Sequence, residues 1–345
     1  MRRYLRLSFG LLAALSLPAS ACITPVFRYA LENWPADLYE VAVIHKDPLG
    51  QREQLLLEKL CKASDTLTNL LVKPVDITGK SKEEIAKLRG SENRPEAELP
   101  WMVVKYPQFT GIKEPMWEGR FTKTAVERLL NSPLRSKIVK RILDGDTAVW
   151  VLLESGVKEK DERAARTLEK ELKRMEKELD FSPEYKEYMI DVLGIRMRIS
   201  FSLIKLSRSD GRERLLIQDL LHPLPKDDEI RRQPIAFPVF GRGRVLCALV
   251  GDEIKGENIE EICYFLVGGC SCEVKSSNPG WDLLLSADWD GMLEGQMEEA
   301  VFAGPATAVK GAGLPWRNIL IALSSLLLLI AGTTYFILWR RRRYE

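Results

Sequence analysis

The apolar and polar positions of the chain fall into a long mixed region set between two uninterrupted apolar runs. Residues 319–339 carry no charge, and at about 1.5 Å per residue that length crosses a hydrocarbon core of about 30 Å. The shorter run at 7–18 follows Arg2, Arg3 and Arg6 and ends in Ala19-Ser20-Ala21, which is the layout of a secretory signal peptide. Between the two runs the periodicity alternates between that of strands and that of helices. Strands are expected at 39–44, 69–77, 101–106 and 117–121, with helices from Val26 onward, at 51–63, at 81–90, and at 124–143 with a break near Ser132-Pro133. Residues 91–98 read as a polar connection. Asp144-Gly145-Asp146 is a turn, and a second series starts behind it with AVWVLL at 148–153, continuous enough for a strand covered on both faces. The helix expected at 158–179 has Ala164, Leu168, Leu172, Met175 and Leu179 on one stripe and charge pairs on the other, so it reads as a solvated layer over a sheet. A strand at 196–206, a hairpin of 233–240 with 244–250 turned at Gly241-Arg242-Gly243, and a helix at 258–266 complete the series.

Charge sharpens the topology. The formal net charge is +2, but seven arginines lie in the two ends, and setting these aside with Glu345 leaves the region between them acidic by about four charges. Arg340 to Arg343 therefore mark the cytoplasmic end of the span, with Trp316 and Trp339 at the two headgroup layers. The expected order is a signal peptide at 1–21, two domains at 22–143 and 146–290, and a Gly- and Pro-rich tether at 291–315. A single transmembrane helix at 319–339 and a basic cytoplasmic tail at 340–345 follow. The two domains then face away from the cytoplasm, in the periplasmic space. An acidic outer region has no field to gather phosphate backbones, which argues against nucleic acid as a partner. His45 and His222 are the only histidines, which limits imidazole catalysis and His-rich zinc sites. Asp282, Asp288 and Asp290, around Trp281 and Trp289, read as an acidic turn.

The segment Gln233-Pro234-Ile235-Ala236-Phe237-Pro238-Val239-Phe240, its glycine turn, the strand ending Leu249-Val250-Gly251 and the helix behind it resemble the late part of a thioredoxin domain. Leu99-Pro100-Trp101-Met102-Val103-Val104 is similar to the corresponding proline and strand in the first half. The resemblance implies an α/β chain of two tandem thioredoxin-like (α/β sandwich) domains ahead of the membrane helix. It also implies that Pro100 and Pro234 are the loop prolines that lie near a reactive thiol. The family's redox members place Cys-x-x-Cys where the first strand meets its helix. The second domain has Glu154-Ser155-Gly156-Val157 at that place, and the first is expected to have Cys22-Ile23-Thr24-Pro25, with proline where the resolving thiol belongs.

Six cysteines in an exported chain permit disulfides but make no framework. Cys22 follows small residues as an acylated lipoprotein cysteine does, and equally suits a paired structural cysteine or a reactive thiol. Cys263, Cys270 and Cys272 cluster in ICYFLVGGCSC, which suits one structural disulfide with a buried thiol, a reducible pair, or thiolate ligands for copper or zinc. Cys61 and Cys247 lie on apolar faces and read as core residues. Two functions follow. One is a non-catalytic binding or adaptor module for an envelope protein partner, without cofactor. The other is a thiol-disulfide oxidoreductase or soft-metal (copper or zinc) handling protein that acts through Cys22 or the Cys270/Cys272 pair, with Cys263 as a further ligand.

Overall fold

Two strands with no exposed residue, β5 (Ala148–Leu153) and β7 (Ile235–Phe240), run antiparallel through the middle of one sheet and fix its two-sided packing. Successive side chains of a strand point to opposite faces. Ala148, Trp150 and Leu152 thus join one core while Val149, Val151 and Leu153 join another. At about 1.5–3 kcal/mol for each large apolar side chain fully buried, this pair of strands organises the sheet. In the computed structural model, residues 23–89, 99–192, 197–270 and 274–293 are described. The expected signal peptide, the transmembrane helix, the basic tail and all but the first residues of the tether lie outside them. Among the described residues, no helix is long and apolar enough to cross a membrane.

The protein is a mixed α/β structure with two sheets. The chain enters through α1 (Val26–Asn33) and builds the first sheet from β1 (Tyr39–His45), β2 (Leu70–Asp76), β3 (Trp101–Lys105) and β4 (Trp117–Arg120). Their order across the sheet is β2-β1-β3-β4, with β1 and β2 parallel and β3 antiparallel to both β1 and β4. Between the strands run α2 (Gln51–Thr66) and α3 (Lys82–Arg89), and behind β4 come α4 (Lys123–Leu130) and α5 (Pro133–Leu143). The expected break at Ser132-Pro133 separates α4 from α5, where the Ser132 hydroxyl accepts from Arg135 N (3.0 Å) and proline occupies the first turn.

The second sheet repeats the arrangement. With β6 (Phe201–Leu206), β8 (Arg244–Val245) and β10 (Trp281–Asp282) its order is β6-β5-β7-β8-β10, β5 and β6 being parallel, and β9 (Leu249–Val250) also pairs with β7. On one face lie α6 (Lys158–Glu178), α7 (Pro183–Glu187), α10 (Gly256–Val267) and α1; on the other lie α5, α8 (Arg214–Leu221) and the short α9 (Asp228–Arg231). The outer side of α6 carries the expected pairs, such as Arg166 with Glu162 at 3.4 Å, each worth little in water.

Several elements differ from the expectation. Residues 214–221 are helical because Leu215, Leu216 and Leu220 are buried in the cores. That segment is too short and too apolar for its period to declare itself. The second hairpin strand is split into β8 and β9 around Leu246-Cys247-Ala248. The α1 helix packs its Val26, Phe27, Ala30 and Trp34 into the core of the second sheet, so the helix that follows β1 is α2.

Gly280 sets up the β8–β10 pairing. Its φ is +106°, and a Cβ there would overlap the carbonyl oxygen of Val245. Strain at positive φ and overpacking add, so Gly280→Ala is expected to destabilise by about 2–4 kcal/mol. Urea unfolding of the variant checks this, and a loss below about 1 kcal/mol would contradict it.

Candidate functional site

In the order β2-β1-β3-β4 the strand-to-helix turn after β1 lies beside the start of β3, because Ile44 pairs with Trp101. The turn is His45-Lys46-Asp47-Pro48-Leu49-Gly50, and Leu99-Pro100, joined by a cis peptide bond, faces it. A cavity of about 570 Å³ lies between them, lined also by Glu53. His45 Nδ1 is 3.1 Å from Asp47 O, and the Thr78 hydroxyl donates to Lys46 O, which holds the turn to the neighbouring loop. Among the described residues, no cysteine lines this cavity.

The second sheet has the same juxtaposition of Leu153, the end of β5, with Ile235, the start of β7. Here the turn is closed on itself. Asp161, in the first turn of α6, accepts from Ser155 N (2.7 Å), Ser155 Oγ (2.8 Å) and Gly156 N (3.0 Å). Lys160 Nζ donates to Gln233 Oε1 (3.0 Å) and Arg208 to Gln233 O (3.0 Å), tying the turn to the residue before Pro234. Burial lowers the Arg208 pKa, opposed by the charge of Asp161. The Pro234 carbonyl accepts from Gly251 N (2.9 Å). The start of this helix therefore carries an internal carboxylate that closes the turn.

The cysteines lie elsewhere. Cys263 is buried in α10, and burial is the main cause pushing its thiol up to about 12. Cys247, between β8 and β9, is pushed up to about 11 by burial and by Glu253 and Glu261. Burial, with Asp65, also raises Cys61. A raised thiol pKa disfavours the nucleophilic thiolate. Cys270 is 2 % exposed, and its backbone N donates to Thr24 O (2.9 Å). No disulfide joins Cys61, Cys247, Cys263 and Cys270 to one another. Cys22 and Cys272 lie outside the described residues. Among the described residues no cluster of three or more His, Cys, Asp or Glu side chains is placed to hold a metal ion.

Of the acidic turn, Asp282 is buried and pairs with Arg244 (3.0 Å) and with Lys275, while Asp290 pairs with Arg242 (2.6 Å). Nothing in the sequence pointed to the seam where the halves meet. There Tyr39 of β1, Asp219 of α8 and the backbone of 282–284 converge without water-exposed surface. His222 stacks on Tyr106 with ring centroids 4.4 Å apart, and its Nδ1–H donates to Asp219 O (2.7 Å). Burial lowers the His222 pKa, opposed by its bond to the Asp219 carbonyl. The signal that could have exposed this seam is a lone Asp inside the apolar run RLLIQDLL. No protein-family model matches the chain, and no curated protein matches it either.

Proposed function

We propose that the chain is an extracytoplasmic protein, anchored by residues 319–339, whose two thioredoxin-like units bind a protein partner in the cell envelope and perform no thiol chemistry at the family's usual place. One observation carries this reading: both strand-to-helix turns facing a proline-led strand, 45–50 and 154–157, are without cysteine. The strand order second-first-third-fourth, found twice with the third strand antiparallel, supports the thioredoxin-like part. The turn at 45–50 keeps an open cavity with charged and polar groups at its rim, which suits recognition of a partner segment. The fold alone assigns no activity.

A photoreactive side chain at Lys46 or Val157, both exposed, tests it in intact cells. One discrete crosslinked adduct is expected from at least one of these positions, and none from Lys170 on the outer face of α6. Equal labelling from Lys170, or no adduct from either turn, overturns the reading.

One contact favours thiol-disulfide exchange or copper or zinc binding through Cys22 or the Cys270/Cys272 pair as a second reading. Pro25 bridges Gly269 in antiparallel fashion and Cys270 N bonds Thr24 O. In the sequence Cys22 is two residues from Thr24, and Cys272 is two from Cys270. Peptide mapping of the full-length protein, alkylated before and after reduction, separates the two. A Cys22 acylated or locked in a reduction-resistant bond leaves the binding role. A bond that opens under mild reductant, with exchange activity lost in Cys270→Ser/Cys272→Ser, supports the thiol role.

A further inference from the structure

A cavity of about 270 Å³ opens between the edge of the first sheet and the start of α8. Arg120 of β4, Arg128 of α4, and Arg212 and Arg214 from the turn into α8 line it, with Thr122 and Trp117. Among the described residues, no carboxylate lines it. Arg212 is partly neutralised by Asp210 (2.7 Å), whereas Arg120, Arg128 and Arg214 form no ion pair among the described residues. Glu213, which sits between two of these arginines in sequence, is turned away. It is buried and accepts from the Ser132 hydroxyl and from Leu134 N (2.9 Å). Behind the wall the buried Arg135 donates to the carbonyls of Arg128 (3.1 Å) and Leu129 (2.7 Å).

Four guanidinium groups around one small space repel one another, and among the described residues only the Asp210 pair on Arg212 offsets that repulsion. The first turns of α4, capped by Thr122, and of α8 also border it, adding the positive ends of two helix dipoles. Arginine presents a planar fork of donors that matches phosphate oxygens in pairs. The Trp117 ring, with Leu129 and Leu215, supplies apolar wall for whatever the anion is attached to. The volume suits a compact ligand near the lower end of small-molecule sites.

We propose that this cavity is a binding site for a phosphate group on a small apolar or aromatic body, whether a free phosphate ester or the headgroup of an anionic lipid. The site stands on its own geometry and does not depend on the adaptor reading.

The test uses the full-length protein in neutral detergent, titrated calorimetrically at fixed chloride with phenyl phosphate, benzoate, and the soluble short-chain lipids dihexanoyl phosphatidylglycerol and dihexanoyl phosphatidylcholine. Phenyl phosphate or the phosphatidylglycerol is expected to bind, with affinity falling as salt rises, and Arg120→Gln/Arg128→Gln/Arg214→Gln is expected to weaken binding at least tenfold. These arginines are exposed, so the variant should keep the wild-type melting temperature. Removing three charges elsewhere, in Lys158→Gln/Arg166→Gln/Lys170→Gln, is expected to leave the affinity unchanged. Binding of phenyl phosphate alone identifies a free ester as the source, and binding of the phosphatidylglycerol alone identifies a lipid headgroup. Several results overturn the proposal: no binding of either, benzoate or the phosphatidylcholine binding as tightly, or equal weakening in both triple variants.

Discussion

Alanine in place of Asp219 is expected to lower the unfolding free energy by about 2–4 kcal/mol, because it leaves the buried Leu284 N without a partner, removes one of the two hydrogen bonds of the Tyr39 hydroxyl and leaves a cavity. Asp219 is fully buried on α8. Its Oδ1 is 2.5 Å from the Tyr39 hydroxyl and its Oδ2 accepts from Leu284 N at 2.8 Å. Tyr39 belongs to β1 of the first sheet, so this one side chain joins elements that are 180 residues apart in the chain. Asn69 makes a parallel tie, donating to Leu283 O (3.1 Å) and accepting from Leu285 N (3.0 Å). Urea unfolding of the full-length protein at pH 6, followed by tryptophan fluorescence, measures the loss. A change below about 1 kcal/mol would mean the seam is not held by this residue.

Stability is also expected to fall as pH rises from about 4 to about 7, by up to about 4 kcal/mol on this group alone. Burial raises the Asp219 pKa from 3.8 to about 7, against the lowering influence of Tyr39, Leu284 N and Arg135. Because the folded value is the higher one, the folded protein holds a proton through this window that the unfolded chain has released. The contribution is thus complete below about pH 4 and gone once pH passes the folded value.

The geometry accounts for the retained proton. The Tyr39 hydroxyl has a single hydrogen, yet it lies against both Asp219 Oδ1 and Asp282 O (2.8 Å). A neutral Asp219 donates to the Tyr39 oxygen, Tyr39 donates to Asp282 O, and Oδ2 still accepts from Leu284 N, so every group has a partner. Ionisation removes one hydrogen from that chain and leaves a buried charge that Arg135 offsets only in part. Asparagine reproduces the neutral pattern, its amide donating to Tyr39 and its carbonyl accepting from Leu284. Asp219→Asn is therefore expected to match wild type near pH 4 and to exceed it at pH 8. Parallel stability–pH curves for the two proteins would refute the assignment, and the difference between the curves cancels the titrating groups remote from Asp219, leaving that residue and its neighbour His222 (3.8 Å).

The strands and long helices were legible because each carries its own period. AVWVLL announced a strand buried on both sides, and the stripe from Ala164 to Leu179 announced the one buried face of α6. The hairpin turn at Gly241-Arg242-Gly243 was legible too, since Gly241 and Gly243 take positive φ there. α8 was not, because its buried leucines divide between two cores, and eight residues are too few for the period to declare itself. The place of α1 was misread for a related reason. Its amphipathic pattern states that one face is buried, and says nothing about which sheet covers it.

By itself the sequence determined the local elements, their order, the absence of a Cys-x-x-Cys at the second strand-to-helix turn, and the apolar ends that carry the topology expectation. All of these depend on residues close together in the chain, where spacing and turn chemistry are sufficient. Tertiary structure alone decided that α1 belongs with the second core and that the first strand-to-helix turn is 45–50. It also decided that Asp219 meets Tyr39 and that four arginines from β4, α4 and the α8 turn share one cavity. Those juxtapositions join residues tens to hundreds of positions apart. The packing that creates them is set by how whole faces fit together, which no short window of sequence records.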